Sequence, residues 1–253
     1  MEIIDKTLTK VDDIDLIEDI LILDDVEIIT ESVFEDNQII KKIEAPSLKK
    51  IANKAFYGCH NLYEVKAPLL EEIGDYAFAE TSLTNFNFDN VLIVGKNAFE
   101  NTSLNSIELP RNLKKIGKFA FANNKHLQKV NMESLMTKIK DGMFENCINL
   151  KEIKLPGTIN KFGVGSFKNC KKLNTIDFPE HLKAIETNCF WECESLKKVN
   201  VNNELEVIND YAFGYTKIDS IDLSNLKSIG KLPFHMSNHL ESVKISEMVA
   251  FQY

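Results

Sequence analysis

The sequence predicts a right-handed solenoid of about ten repeats, each 21–23 residues long, with a parallel β-sheet along its concave side. Two observations carry that expectation. Phenylalanine recurs at Phe34, Phe56, Phe78, Phe99, Phe121, Phe144, Phe167, Phe190, Phe213 and Phe234, at spacings of 22, 22, 21, 22, 23, 23, 23, 23 and 21. Short alternating apolar segments keep phase with it. A unit this small cannot bury its own apolar side, so equivalent columns must stack on their neighbours into one continuous core. The period is too short for paired-helix repeats or propeller blades, which leaves a strand-bearing solenoid. Its parallel crossovers take the right-handed sense.

Each unit reads in order. The phenylalanine is followed five or six residues on by an aliphatic: Ile40, Leu62, Leu83, Leu104, Leu127, Leu150, Leu173, Leu196, Ile218 and Leu240. Next come the pairs Ile43/Ala45, Val65/Ala67, Phe86/Phe88, Ile107/Leu109, Val130/Met132, Ile153/Leu155, Ile176/Phe178, Val199/Val201, Ile221/Leu223 and Val243/Ile245. Alternation over so few residues, rich in branched side chains, predicts a short strand with one buried face. Pro46, Pro68, Pro110, Pro156 and Pro179 close it where a ladder donor would be lost. A further buried position falls five residues before each phenylalanine, at Ile29, Ile51, Ile73, Val94, Ile116, Ile139, Phe162, Ile185, Ile208 and Ile229.

The segments LPRNLKKIGKFAFANNKHLQKV (109–130), LPGTINKFGVGSFKNCKKLNTI (155–176) and FPEHLKAIETNCFWECESLKKV (178–199) show an Ile, an Ala-Phe or its variant, an Asn-Cys-like pair, a Leu and a closing strand. This pattern resembles the BspA-type leucine-rich repeat, over roughly residues 20–245. The chain departs from it where the Ala before Phe becomes Val33, Met143, Ser166, Cys189 or Pro233. The resemblance implies a leucine-rich-repeat solenoid used as an interaction module, often at a cell surface, where an adhesin-like domain would bind host protein or glycan. Residues 1–35, acidic and irregular, are expected to form a cap and first partial repeat, with residues 36–253 as a single repeat domain. No polar cap is evident before Tyr253, so a homodimer through the C-terminal repeat is also expected.

Outward positions flank the buried ones because strand side chains alternate. One outward column runs from Lys42 and Glu64 to Ser242, the next from Glu44 and Lys66 to Lys244, and neither contains an aromatic. Neighbouring rungs pair Lys42 with Glu64, Glu44 with Lys66, Lys129 with Glu152, Lys154 with Asp177 and Asp222 with Lys244, contacts worth roughly 0.2 to 1 kcal/mol each. Two readings follow: a face that neutralises itself, or a protein-binding surface about 45 Å long. On the second reading the contact residues are Lys66, Glu108, Lys129, Glu152, Lys154, Asp177, Lys198 and Asp222. Trp191, the lone tryptophan, falls on the turn side beside Phe190 and reads as core or rim packing.

No catalytic residues, metal ligands or cofactors are expected. The five histidines fall at turn positions without a nucleophile elbow, and the glycines are dispersed, with no phosphate loop. Cys59, Cys147, Cys170 and Cys193 all stand three residues after a repeat Phe, which suits small buried side chains better than parallel metal ligands or disulfides. A net charge of −8 argues against nucleic acid or an anionic membrane as partner, and no apolar run is long enough to span a bilayer. The first twenty residues lack the form of a secretory signal. The chain as it stands is expected in the cytoplasm, or at the cell surface if an export signal has been removed. The expected function is therefore a non-enzymatic protein-interaction scaffold, with adhesin-like binding and structural oligomerisation as alternatives.

Overall fold

The computed structural model describes residues 1–11, 16–17, 19–247 and 249–251. The backbone forms a β-solenoid of about eleven turns, more than the ten phenylalanines mark, because the N-terminal segment supplies rungs of its own. Glu2–Ile4 folds back antiparallel on Thr7–Lys10 through Asp5 and Lys6, whose φ values of 46° and 61° are those a two-residue hairpin turn requires. Thr7–Lys10 then pairs parallel with Ile28–Ile29, and Ile20–Ile22 with Lys42–Glu44. The 1–35 segment, expected to be irregular, thus contributes the first member of each of two ladders.

The first ladder is the expected one. Its strands include Lys42–Glu44, Glu64–Lys66, Ser106–Leu109, Lys129–Met132, Glu152–Lys154, Thr175–Asp177, Lys198–Asn200, Ser220–Leu223 and Ser242–Ile245. Buried columns lie in register, as in Ile107 beside Val130 and Leu109 beside Met132. A second ladder adds to the expected one: the aliphatics five residues before the repeat Phe sit in two-residue strands such as Lys50–Ile51, Glu72–Ile73 and Ala184–Ile185, which pair parallel with those of neighbouring rungs. Two residues are too few for alternation to show in a sequence.

Between second ladder and first, the chain rounds a tight arc centred on the repeat Phe. Two residues in every rung take positive φ there, two positions before and two positions after that Phe. Asparagine or glycine fills many of these positions, as in Asn97, Asn123, Asn146, Asn169, Gly142 and Gly165, because left-handed backbone costs other residues about 1 kcal/mol or more. Inside the arc the ten phenylalanines form one unbroken stack, with centroids 5.0 to 6.0 Å apart. Beyond burial, each such pair contributes about 0.5–1.5 kcal/mol.

The cysteine column carries a bonding role that its sequence did not suggest. The Sγ of Cys59, Cys147, Cys170 and Cys193 donates to the carbonyl of the Phe one rung earlier, Phe34, Phe121, Phe144 and Phe167, at 2.9, 3.2, 3.3 and 3.1 Å. Asn124 Nδ2 and Ser237 Oγ occupy the same column and bond Phe99 O and Phe213 O at 2.7 and 2.8 Å. Where the step from Phe to the next aliphatic shortens from six residues to five, the column residue is threonine: Thr81, Thr102 and Thr216. Thr81 and Thr216 donate to the Phe of their own rung, Phe78 and Phe213, at 2.8 and 2.9 Å. The shorter turn brings the side chain back over its own carbonyl.

Among the described residues the first ladder is not continuous. Asn85–Phe88 forms no strand, although Phe88 is buried as expected, and no ladder bonds link Lys154 to Thr175 or Asn200 to Ser220. Two of these irregularities lie beside shortened turns, at Phe78–Leu83 with Phe99–Leu104 and at Phe213–Ile218, where one missing residue shifts the following strand against its predecessor. The interruption after Lys154 falls between rungs of equal length. The apolar column also ends differently from expectation: Val243 and Ile245, on the last described strand of this ladder, are exposed because no described strand covers them.

Candidate functional site

The outward positions of the first ladder are all exposed or half-buried, so the strand face is accessible as expected. Its two ends neutralise themselves. Lys42 pairs with Glu64 at 3.5 Å, Lys66 with Glu44 at 2.7 Å, and Lys244 with Asp222 at 3.1 Å. Asp222 also accepts the Ser224 hydroxyl and backbone N–H. The Ser224 bonds, followed by Lys244, lower its carboxyl to about 2.

The middle behaves differently. The expected pairs Lys129–Glu152 and Lys154–Asp177 do not form, although Lys129 and Glu152 lie in register on hydrogen-bonded strands. Lys154 and Asp177 are separated by the ladder interruption, and Asp177 instead accepts the Asn200 side-chain amide. Among the described residues Glu108, Lys129, Glu152, Lys154, Asp177 and Lys198 make no ion pair.

The interruptions open two clefts on this face. One, of about 710 Å³, is lined by Lys129, Glu152, Lys154 and Asp177 with Lys151, Lys172, Asn174 and Thr175 around them. The other, of about 1120 Å³, lies between Lys198–Asn200 and Ser220–Leu223 and brings Lys198 and Asp222 together with Asn202, Asn203 and Asn225. Six of the eight residues expected to bind a protein therefore gather at two clefts, whereas Lys66 and Glu108 stand apart. The clefts were not legible in the sequence, though the one-residue shortening after Phe213 marks the larger one.

Their linings supply charged, amide and hydroxyl groups, with the Ser224 hydroxyl held on the Asp222 carboxylate in the larger cleft. Among the described residues no cluster of His, Cys, Asp or Glu is arranged to hold a metal ion. All five cysteines are free and buried. Burial pushes the Cys59 and Cys147 thiols up to about 12 and raises Cys170, Cys189 and Cys193 as well. Cys189 lies 3.3 Å from Ser166 Oγ, and Cys193 bonds Phe167 O.

Trp191 is half-buried on the arc, as rim packing would place it, but in unexpected company: Tyr211, Tyr215 and His235 surround it. In the sequence His235 stands only as one of five histidines at turn positions. One signal could have found the cluster, since Trp191, Gly214 and His235 each directly follow a repeat Phe.

The sequence model of the BspA type leucine-rich repeat region matches the chain in six copies, over residues 13–69, 27–150, 71–193 and 137–252. Comparison with curated proteins finds no match. Among solved structures, the chain is similar to a leucine-rich repeat protein from Bacteroides ovatus, with 21% identity over 89% of this chain and 66% of that one, at a TM-score of 0.64. It is similar to the leucine-rich repeat protein of T. pallidum, with 30% identity over 61% of this chain and 77% of the other, at a TM-score of 0.56. The pneumococcal vaccine antigen PcpA follows, with 21% identity over 88% of this chain and 55% of that antigen, at a TM-score of 0.55. The chain thus spans just under two thirds of the Bacteroides protein's length and about half of the antigen's.

Proposed function

The chain belongs to the BspA-type leucine-rich repeat family, and from that premise we propose that it is a non-enzymatic scaffold that binds a protein partner through the middle of its first-ladder strand face, with residues 1–35 as its cap. One observation carries this reading: Lys129, Glu152, Lys154 and Asp177 stand without ion pairs around the smaller cleft and Lys198 at the edge of the larger one, on a ladder whose ends are internally paired. An exposed ion pair stabilises by only about 0–1 kcal/mol, so leaving these charges unpaired costs the fold little. A partner of complementary charge would gain steering and register from them.

A photo-crosslinker placed at Thr175, in the smaller cleft, tests the reading. One dominant crosslinked protein is expected from the native source. Lys129→Glu combined with Lys154→Glu should reduce its yield by about tenfold, corresponding to some 1.4 kcal/mol of binding. Equal crosslinking from Lys115, exposed on the second ladder and outside both clefts, would overturn it.

A second reading, self-association through the last rung, is favoured by the exposure of Val243 and Ile245. Light scattering over a concentration range, on wild type and on Val243→Thr with Ile245→Thr, decides it. A dimer lost in the double variant supports it, and a wild-type monomer throughout removes it.

A further inference from the structure

The arc on the far side of the Phe stack carries polar or small residues over most of its length and changes character in the last rungs. The left-handed positions are filled upstream mostly by asparagine, glycine and charged residues, with Tyr76 and Phe119 as isolated aromatics in separate rungs, whereas the last two rungs hold large side chains at all four, Tyr211, Tyr215, Leu232 and Met236, with φ of 55°, 58°, 44° and 55°. Leu232, Met236 and Tyr215 are 57%, 53% and 39% exposed. Large apolar side chains here are doubly unfavourable for folding: the backbone prefers asparagine or glycine, and the apolar surface stays in water. Stability alone does not account for them.

These residues adjoin the Trp191 cluster. The Trp191 ring lies across Gly214, where a Cβ would come within 2.4 Å of Trp191 Cε3. Tyr211 and Tyr215 meet it edge-on with centroids at 5.7 and 4.8 Å, and the His235 ring lies parallel to it at 5.9 Å. Tyr215 N donates to His235 O and Tyr211 N to Lys231 O, which puts Met236 and Leu232 on the adjoining rung. The result is one continuous aromatic and apolar patch of the composition found at the centres of protein interfaces. A carboxylate stands at its edge: Glu192, itself at φ 61°, accepts Trp191 Nε1–H at 3.0 Å. Among the described residues it makes no salt bridge: Lys171 bonds Glu194 and acts on Glu192 only through space, while Glu186 pairs with Lys161.

We propose that this patch is a second binding site, distinct from the strand face, for an arginine-bearing segment of a protein partner. A guanidinium stacks on tryptophan and tyrosine faces and forks to a carboxylate, the two features this surface offers together. Apolar neighbours of that arginine would cover Leu232 and Met236.

Trp191 is the only tryptophan, so its emission reports the site directly. The full chain is titrated with the peptides Ac-Gly-Leu-Arg-Leu-Gly-NH2 and its citrulline and glutamate counterparts, alongside the Glu192→Gln and Leu232→Asn/Met236→Asn variants. The arginine peptide should give a saturable change that weakens about fivefold with citrulline, with glutamate or in either variant. Leu232→Asn/Met236→Asn should leave Tm unchanged or raise it by roughly 1–4 °C, because asparagine suits the left-handed backbone. No saturable response, an equal response to all three peptides, or a fall in Tm that marks the pair as packing residues would overturn the proposal. Wild-type self-association abolished in the Asn variant would likewise overturn it, naming a second copy of this chain as the occupant.

Discussion

At eight of the ten positions three places after a repeat Phe, the residue fills a small buried space and supplies a donor to a Phe carbonyl, and cysteine, serine, threonine and asparagine all do so. The exceptions are Thr102, which donates to Asn124 Oδ1, and Asn37, whose Oδ1 accepts the Ile39 and Ile40 N–H groups. At Cys170 the donor reaches Phe144 O, which also accepts the Cys147 backbone N–H, so the thiol adds a second bond. Cys170→Ser keeps a donor, as Ser237 does, whereas Cys170→Ala removes it. The alanine variant is expected to be less stable than the serine variant by about 0.5–1.5 kcal/mol, measured by denaturant unfolding. Equal stabilities would show that the column acts by volume alone.

At the scale of single elements, the first hairpin is tied to the second ladder through Glu27, whose carboxylate accepts Lys49 and Lys6 Nζ at 2.7 Å each. The Lys49 bond, then the Lys6 bond, lower its carboxyl to about 2. A carboxylate lowered on folding contributes stability that is complete above its unfolded pKa near 4 and lost as pH falls toward 2. Protection of the Thr7–Lys10 amides from hydrogen exchange is therefore expected to fall between about pH 5 and pH 2. In Glu27→Gln that part of the pH dependence should be absent. The same linkage holds for Asp222, lowered to about 2 chiefly by Ser224. The element scale also shows where sequence reading stopped short: Ile51 and Ile185 read as buried positions, yet each belongs to a strand too short to alternate.

For the molecule as a whole, the phenylalanine stack couples every rung to its neighbours, and Phe144 touches both Phe121 and Phe167 at 6.0 and 5.7 Å. Phe144→Ala is expected to cost about 3–5 kcal/mol and, in a nearest-neighbour solenoid, to split a single unfolding transition into two. Calorimetry checks this, and one undivided transition would show that the ladders carry cooperativity past a broken stack.

The sequence by itself determined the solenoid, its period, the phenylalanine column and the inward or outward sense of nearly every strand residue, because each is a periodic consequence of burying one side of a repeated unit. Tertiary structure alone decided which expected charge pairs form, where the first ladder opens into clefts, that a second ladder exists, and that Trp191, Tyr211, Tyr215 and His235 share one surface. Those features depend on how one rung sits against the next and on side chains reaching from rung to rung: the shortened turn after Phe213 leaves a trace in the spacing, whereas the interruption after Lys154, between rungs of equal length, leaves none.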